Sequence, residues 1–305
     1  MLDVVLPVAS IFAVILLGWL AGRLGAFDRR DLEALNRFAY TVAFPALVFT
    51  ALARSPLGSV ADPRAVLAFL AGLAAAVLAG FAASRAFGAD ATLGGAAVFA
   101  SGFGNIAYLG FPLVLVVYGP SALGLAAVLA ATSILVALPI GMAALLAGDR
   151  TPGSVRRTLA RNPLFIAALA GAAASVAAGV VGRLPTPFLP LDLLASAASG
   201  VALFTLGVFL FHTSPSAFAR APGVTLAAAL GKLAVFPAVA FVAGRALGLG
   251  GVELGIVALM AALPTGVTVF TVAKAFGRAE EPVAATILVT TLAAALTLPV
   301  LLALV

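Results

Sequence analysis

The chemistry open to this sequence rests on a few polar positions in an otherwise greasy chain. The stretch SGFGNIAYLGFP, Ser101 to Pro112, puts Asn105 in the middle of an apolar run long enough to cross a bilayer, with Gly104 before it and Ile106 after it. An asparagine amide in hydrocarbon needs partners, and glycine and proline both work against an uninterrupted helix. A helix broken here would present a half-helix N-terminus, whose N–H groups and positive dipole end suit a carboxylate. Asn105 would add a side-chain donor, or would serve as an interhelical hydrogen bond holding the break together. A second interrupted stretch, ALPTGVTVF, offers Pro264, Thr265, Gly266 and Thr268. The proline removes a backbone donor and the glycine permits close approach. Thr268 and Thr271 extend the polar surface or satisfy carbonyls of their own helix. Lys232, in AALGKLAVFPAV, is the only charge well inside an apolar segment. It would draw an anion inward, hold carbonyls near the breaks, or snorkel to the interface.

The elements that position these residues follow from composition. Of 305 residues, 64% are hydrophobic and 9% charged, with a mean hydropathy of +1.23, whereas soluble domains run near a quarter charged. The chain is therefore expected to be an all-α integral membrane protein. Apolar runs of about twenty residues, each able to cover ~30 Å of hydrocarbon, recur about ten times: 4–24, 32–53, 64–87, 92–118, 121–146, 162–182, 188–211, 222–247, 252–274 and 282–304. The N-terminal run carries an acidic residue where a signal peptide has a basic one, and reads as the first span. There is no cysteine and one histidine, so neither disulfides, thiolate sites nor a metal centre is expected, and no cofactor. Catalytic dyads are also missing from the spans, which argues against an enzyme.

A net charge of +6 raises the question of nucleic acid, but the basic residues sit singly between spans, as the positive-inside rule places them. One set of loops carries Arg23, Arg29, Arg30, Arg37, Arg85, Arg150, Arg156, Arg157, Arg161, Arg220, Lys274 and Arg278; the other carries only Arg54, Arg64, Arg183 and Arg245. That asymmetry predicts both termini outside the cytoplasmic membrane and the mid-chain linker, Gly148 to Arg161, in the cytoplasm.

Internal repeats decide the architecture. FAASRAFG (Phe81 to Gly88) matches FVAGRALG (Phe241 to Gly248), and ALPIGMAALL (Ala137 to Leu146) matches TLPVLLALV (Thr297 to Val305). Arg85 and Arg245, Gly88 and Gly248, and Pro139 and Pro299 all share one spacing. The same spacing carries Gly104 and Asn105 onto Pro264 and Thr265. A duplicated five-span unit has an odd number of spans, so its second copy enters from the opposite side, a construction of secondary transporters with sites at paired broken helices.

LNRFAYTVAFPALVF (Leu35 to Phe49), GNIAYLGFPLVLVVYG (Gly104 to Gly119), NPLFIAALAG (Asn162 to Gly171), GVALFTLGVFL (Gly200 to Leu210) and ALPTGVTVFTVAKAFG (Ala262 to Gly277) resemble, in order, signature segments of the auxin efflux carrier family. The resemblance implies ten helices in two inverted five-helix repeats, residues 1–147 and 162–305, joined by the linker 148–161. Broken, crossing fourth and ninth spans are implied, as in sodium–proton antiporters and bile-acid transporters. Residues 1–53 and 162–211 would form a dimerising scaffold, and 64–146 and 222–304 a transport domain. Asn105 matches the family's crossover asparagine. Plant members have proline where this chain has Gly104. Pro45 should kink the second span and bring Val48 and Phe49 to the apolar side of the pocket.

These readings converge on a homodimeric secondary transporter exporting a small organic anion, a carboxylate or an auxin-like aromatic acid, by an elevator-type mechanism. No Asp or Glu lies deep in any span, which argues against a carboxylate proton relay. His212, ending FLFH, is placed at the interface. A channel or membrane sensor on the same fold is the alternative; it would require a continuous polar stripe, which the spans lack.

Overall fold

The computed structural model describes residues 2–55, 62–147, 154–181, 189–214 and 216–304. Among them it is helical throughout, with α1 (Leu2–Arg23), α2 (Arg29–Arg54), α3 (Pro63–Ala86), α4 (Ala91–Gly102), α5 (Ile106–Tyr118), α6 (Pro120–Leu145), α7 (Ser154–Ala160), α8 (Pro163–Val181), α9 (Leu189–His212), α10 (Ser216–Arg220), α11 (Pro222–Ala246), α12 (Gly251–Ala262), α13 (Val267–Ala275) and α14 (Glu280–Leu304). Six of these are long and apolar enough to cross a membrane, and five shorter apolar helices accompany them. The chain is a multi-pass membrane protein. Extended pairing among the described residues is confined to one antiparallel bridge, between Gly104 and Thr265. The linker residues 148–153 and Arg183 lie outside the described residues.

Aspartates cap several of the helix starts. Asp28 caps α2, accepting from the N–H groups of Arg30 and Asp31 at 2.6 and 3.0 Å, while the Asp31 carboxylate accepts from the Asp28 N–H at 2.9 Å. Asp62 and Asp90 cap α3 and α4, accepting from the N–H groups of Arg64 and Leu93 respectively. These aspartates complete donors that a helix start leaves open. The backbone N–H groups of Asp31 and then Arg30 hold the Asp28 carboxyl below its ordinary value.

Four helices contain one π-turn each, at Ala39–Ala43, Ile106–Gly110, Ser133–Ala137 and Gly231–Val235. Each is closed by a bond from Phe44, Phe111, Leu138 or Phe236 to the carbonyl five residues back. The next residue in every case is a proline: Pro45, Pro112, Pro139 or Pro237. A proline ring collides with the carbonyl four residues earlier and supplies no N–H, and one widened turn accommodates both. Pro45 therefore perturbs α2 as its position predicts, through a π-turn. Pro299 lies inside α14.

Helix packing falls into two sets. The heaviest contacts of α1 and α8 are with α9 and α2, while α11 packs on α3, and α4 on α3 and α6. In the second set the ring of Phe69 on α3 meets that of Phe236 on α11 at 5.0 Å. Contacts of α2 with α6, and of α9 with the first turn of α5, join the sets. The breaks 103–105 and 263–266 meet in the interior of the second.

Candidate functional site

Each break has its own local cause. Asn105 sits at φ −80°, ψ 57°, and the Ile106 N–H donates to the Gly104 carbonyl at 2.9 Å. That is an inverse γ-turn, after which the helix restarts. In the second break Leu263 adopts φ −55°, ψ 144°, the extended geometry imposed on a residue before proline, and Gly266 continues it at φ −74°, ψ 139°.

The two breaks satisfy each other. The Asn105 N–H donates to the Pro264 carbonyl at 2.7 Å, and the Gly266 N–H to the Phe103 carbonyl at 2.9 Å. Thr265 ties the joint to both flanks: its hydroxyl donates to the Ala100 carbonyl at 2.9 Å, and its N–H to Thr290 Oγ1 at 3.1 Å. A Cβ on Gly266 would come 2.8 Å from the Gly104 carbonyl oxygen, so only glycine lets the strands approach this closely. Pro264, Thr265 and Gly266 thus build the joint, and Thr265 spends both donors on it.

Lys232 is fully buried, at 0% exposure, which sets aside snorkelling. Its ammonium donates to the Ala261 carbonyl at 2.5 Å, at the C-terminal and hence negative end of α12, and lies 4.3 Å from the Phe236 ring centroid. That carbonyl lies two residues before Leu263, where the second break begins. A Cβ on Gly104 would lie 3.2 Å from Lys232 Cε. The lysine stem therefore lies in the space a side chain at 104 would enter.

Asn105 is different. It is 2% exposed, and among the described residues its side-chain Nδ2 has no hydrogen-bond partner. It lines a small cavity, about 20 Å³, with Gly104, Ile106, Tyr108, Val48 and Thr268 among the walls. That is space for about one water. Leaving a buried donor unpaired costs about 1–3 kcal/mol, a cost that an acceptor reaching Nδ2 would offset. Val48 lines the cavity from α2. Phe49 does not line it; its backbone packs against Gly171 of α8 instead.

A larger cavity of about 360 Å³ lies between α2, α9, α13 and α14, with Arg29, Asn36, Tyr108, His212, Phe270 and Lys274 among its walls. Lys274 bonds Glu33 of α2 at 2.5 Å. His212 Nε2 is 3.3 Å from the Phe27 carbonyl, and its own carbonyl accepts from Arg29 at 3.3 Å, so it pins the α1–α2 turn to α9. Thr271 lines this cavity too, its hydroxyl donating to the Val267 carbonyl of its own helix. Asn36 and Tyr108 escaped the reading of the sequence as site residues, although both stand in the segments LNRFAY and GNIAYLG. Tyr108 carried the signal that marked Asn105, a polar group inside an apolar run, whereas Asn36 lies in the charged stretch RRDLEALNRF and carried no such signal.

Long apolar helices, two of them interrupted and joined at a polar point in the interior, define a membrane transport protein. The chain belongs to the membrane transport protein family, the one that includes the auxin efflux carriers: the family's sequence model matches residues 3–150 and 148–302. A Rhizobium meliloti protein provisionally named a malonate transporter is 32% identical over 302 residues, which is 93% of this chain and 90% of that one. Auxin efflux carrier component 1 of Arabidopsis thaliana is 34% identical over 125 residues, 40% of this chain and 20% of the plant protein. An uncharacterized transporter of Methanothermobacter thermautotrophicus is 29% identical over 118 residues, 38% of this chain and 39% of its own.

Proposed function

We propose that the chain is a secondary transporter of small carboxylates, exporting them across the cytoplasmic membrane by elevator-type alternating access. The observation that carries this reading is the unpartnered, buried Nδ2 of Asn105 beside the joint of two interrupted helices, with the only deeply buried charge among the described residues, the Lys232 cation, at the neighbouring helix end. A carboxylate oxygen is the acceptor such a donor lacks. Gly104, Ile106, Thr268 and Val48 line the space it would enter; Pro264, Thr265, Gly266 and Lys232 hold the frame; Phe49 belongs to the wall behind. The malonate name of the Rhizobium relative agrees with this class of substrate, and an auxin-like aromatic acid is the larger alternative.

The architecture we propose is ten spans in two inverted five-helix repeats, 1–147 and 162–305, with fourth and ninth spans that break and cross. Several bounds support it by recurring 160 residues apart: Ala91–Gly102 against Gly251–Ala262, and the starts of Arg29 against Leu189 and Pro120 against Glu280. The chain turns after α3 and α11 match as well, with Gly88 at φ 69° and Gly248 at φ 82°. The two packing sets support a dimerising scaffold (1–53, 162–211) and a transport domain (64–146, 222–304). By the arginine asymmetry the large cavity, walled by Arg29 and Lys274, opens to the cytoplasm, and both termini are outside. Export follows from charge: with no buried carboxylate among the described residues to carry a compensating proton, an anion moves outward down a potential that is negative inside.

The test is a thermal-stabilisation screen of mono- and dicarboxylates on the purified protein. Stabilisation by malonate or a similar anion, lost in Asn105→Ala, supports the reading; no response to any carboxylate, with an intact fold, contradicts it.

A further inference from the structure

Tyr108 is the one residue, among those described, that lines both the large cavity and the small one at Asn105. It is nearly fully buried. Its hydroxyl donates to Asn36 Oδ1 at 2.7 Å, and its ring lies 4.5 Å from that of Phe44. Both contacts come from α2, whereas Tyr108 itself belongs to the first turn of α5 and lies three residues beyond Asn105. Glu33, Asn36, Tyr40 and Phe44 recur along α2 at three- and four-residue steps, so they share one face. On that face Glu33 binds Lys274 of α13, Asn36 and Phe44 hold Tyr108, and the Tyr40 hydroxyl accepts from Asn162 Nδ2 at 2.8 Å.

We propose that Tyr108, held by Asn36, is the partition between the large cavity and the Asn105 cavity, and that a small carboxylate opens it by taking the tyrosine's hydrogen bond. The role rests on the carrier reading above for its ligand, but its geometry does not. A solute that enters the 360 Å³ cavity meets the tyrosine ring before it can reach the Asn105 amide, and the space beyond holds about one water. The ring must leave. The bond that holds it is a neutral phenol on a neutral amide oxygen, and a carboxylate is the stronger acceptor because a charged partner shortens and strengthens the bond. Exchange of Asn36 Oδ1 for a carboxylate oxygen releases α5 from α2 and leaves the phenol as a second donor to the anion, alongside Asn105 Nδ2. Tyr108 is thus a gating and positioning residue. The device favours ligands with an anionic oxygen over neutral ones of equal size, since a neutral acceptor gains nothing over Asn36.

The chain has no cysteine, so a single introduced one reports access. Val48→Cys lies in the small cavity and not in the large one; Thr271→Cys lies in the large one and identifies the membrane face to which it opens. Each is labelled with a membrane-impermeant methanethiosulfonate from either side of oriented vesicles. From the face that labels Thr271→Cys, the Val48→Cys rate is expected to rise at least tenfold with Tyr108→Ala. A rise of severalfold is expected with Tyr108→Phe or Asn36→Leu, which keep the volume and lose the bond. Malonate added to the Tyr108 protein should raise the same rate, and Tyr108→Phe should abolish that rise; a rate that malonate leaves unchanged or lowers overturns opening by the anion. Unchanged labelling in all three variants, with Thr271→Cys labelled normally as evidence of an intact fold, overturns the proposal. Faster labelling in a protein that binds no carboxylate would leave the partition standing and remove the carrier reading; carboxylate binding with unchanged labelling would do the reverse.

Discussion

Replacing Asn105 by alanine separates affinity from stability. The Asn105 Nδ2 donor is buried without a protein partner, so Asn105→Ala breaks no bond made by that group and removes a desolvation cost of about 1–3 kcal/mol. Against this stands the loss of a few packed atoms into a space already near 20 Å³. The balance leaves the melting temperature of the ligand-free protein unchanged or slightly higher. Binding behaves oppositely. A hydrogen bond to a charged acceptor contributes about 1.5–3 kcal/mol, so the carboxylate Kd should weaken by roughly 10- to 150-fold at ~1.4 kcal/mol per tenfold. Asn105→Asp, which aims a carboxylate at the anion, should abolish binding. The assay is a melting curve with and without ligand, paired with calorimetric titration. A melting temperature that falls by several degrees while Kd in the folded fraction holds steady would show that Asn105 is structural glue, and the assignment of the site would fail.

Three further outcomes are expected. Gly104→Ala should destabilise by about 1–3 kcal/mol through overpacking against the lysine stem, and the cost should shrink in a Lys232→Ala background, since the near contact is Lys232 Cε at 3.2 Å; additive costs in a denaturation double-mutant cycle would refute the contact. Asp28→Ala should lower the melting temperature at pH 7. Because backbone N–H groups lower the Asp28 pKa, its contribution is present above the ordinary value of about 3.9 and fades as the pH falls through the lowered folded value, so the gap between the two melting curves should narrow steadily in acid; a gap that does not narrow as the pH falls would contradict the cap. A cysteine at Arg156, in the cytoplasmic linker of the proposed topology, should be inert to impermeant thiol reagent outside intact cells; labelling there would invert the assignment.

Much of the architecture was legible because hydrocarbon imposes a simple grammar. Runs of about twenty apolar residues gave bounds within a few positions of the helices, and the carboxylates Asp28, Asp62 and Asp90 fell at helix starts as the cost of burying charge requires. The breaks were legible for the same reason: Gly104, Asn105 and Pro264 violate the pattern around them, and the structure interrupts helices at those positions. What the sequence did not reveal was partnership. Nothing local shows that the Lys232 stem lies on Gly104 across the chain, that Thr265 spends its hydroxyl on Ala100, or that Tyr108 bonds Asn36, 72 positions away. Val48 lines the small cavity and Phe49 does not, because consecutive helical positions point about 100° apart. The π-turns were also invisible as such, although the proline that follows each is a usable mark.

The central claim, a carrier that moves an anion without a compensating proton, is tested most directly in proteoliposomes holding the purified protein and labelled malonate, with equal pH on both sides and a potassium-diffusion potential imposed. One elementary charge across 100 mV is worth ~2.3 kcal/mol, so efflux should follow the potential and, for each net charge moved, support a gradient of about fiftyfold per 100 mV. Flux that ignores the potential and follows an imposed pH gradient would mean that Lys232, His212 or the substrate carries protons, and the account would be wrong.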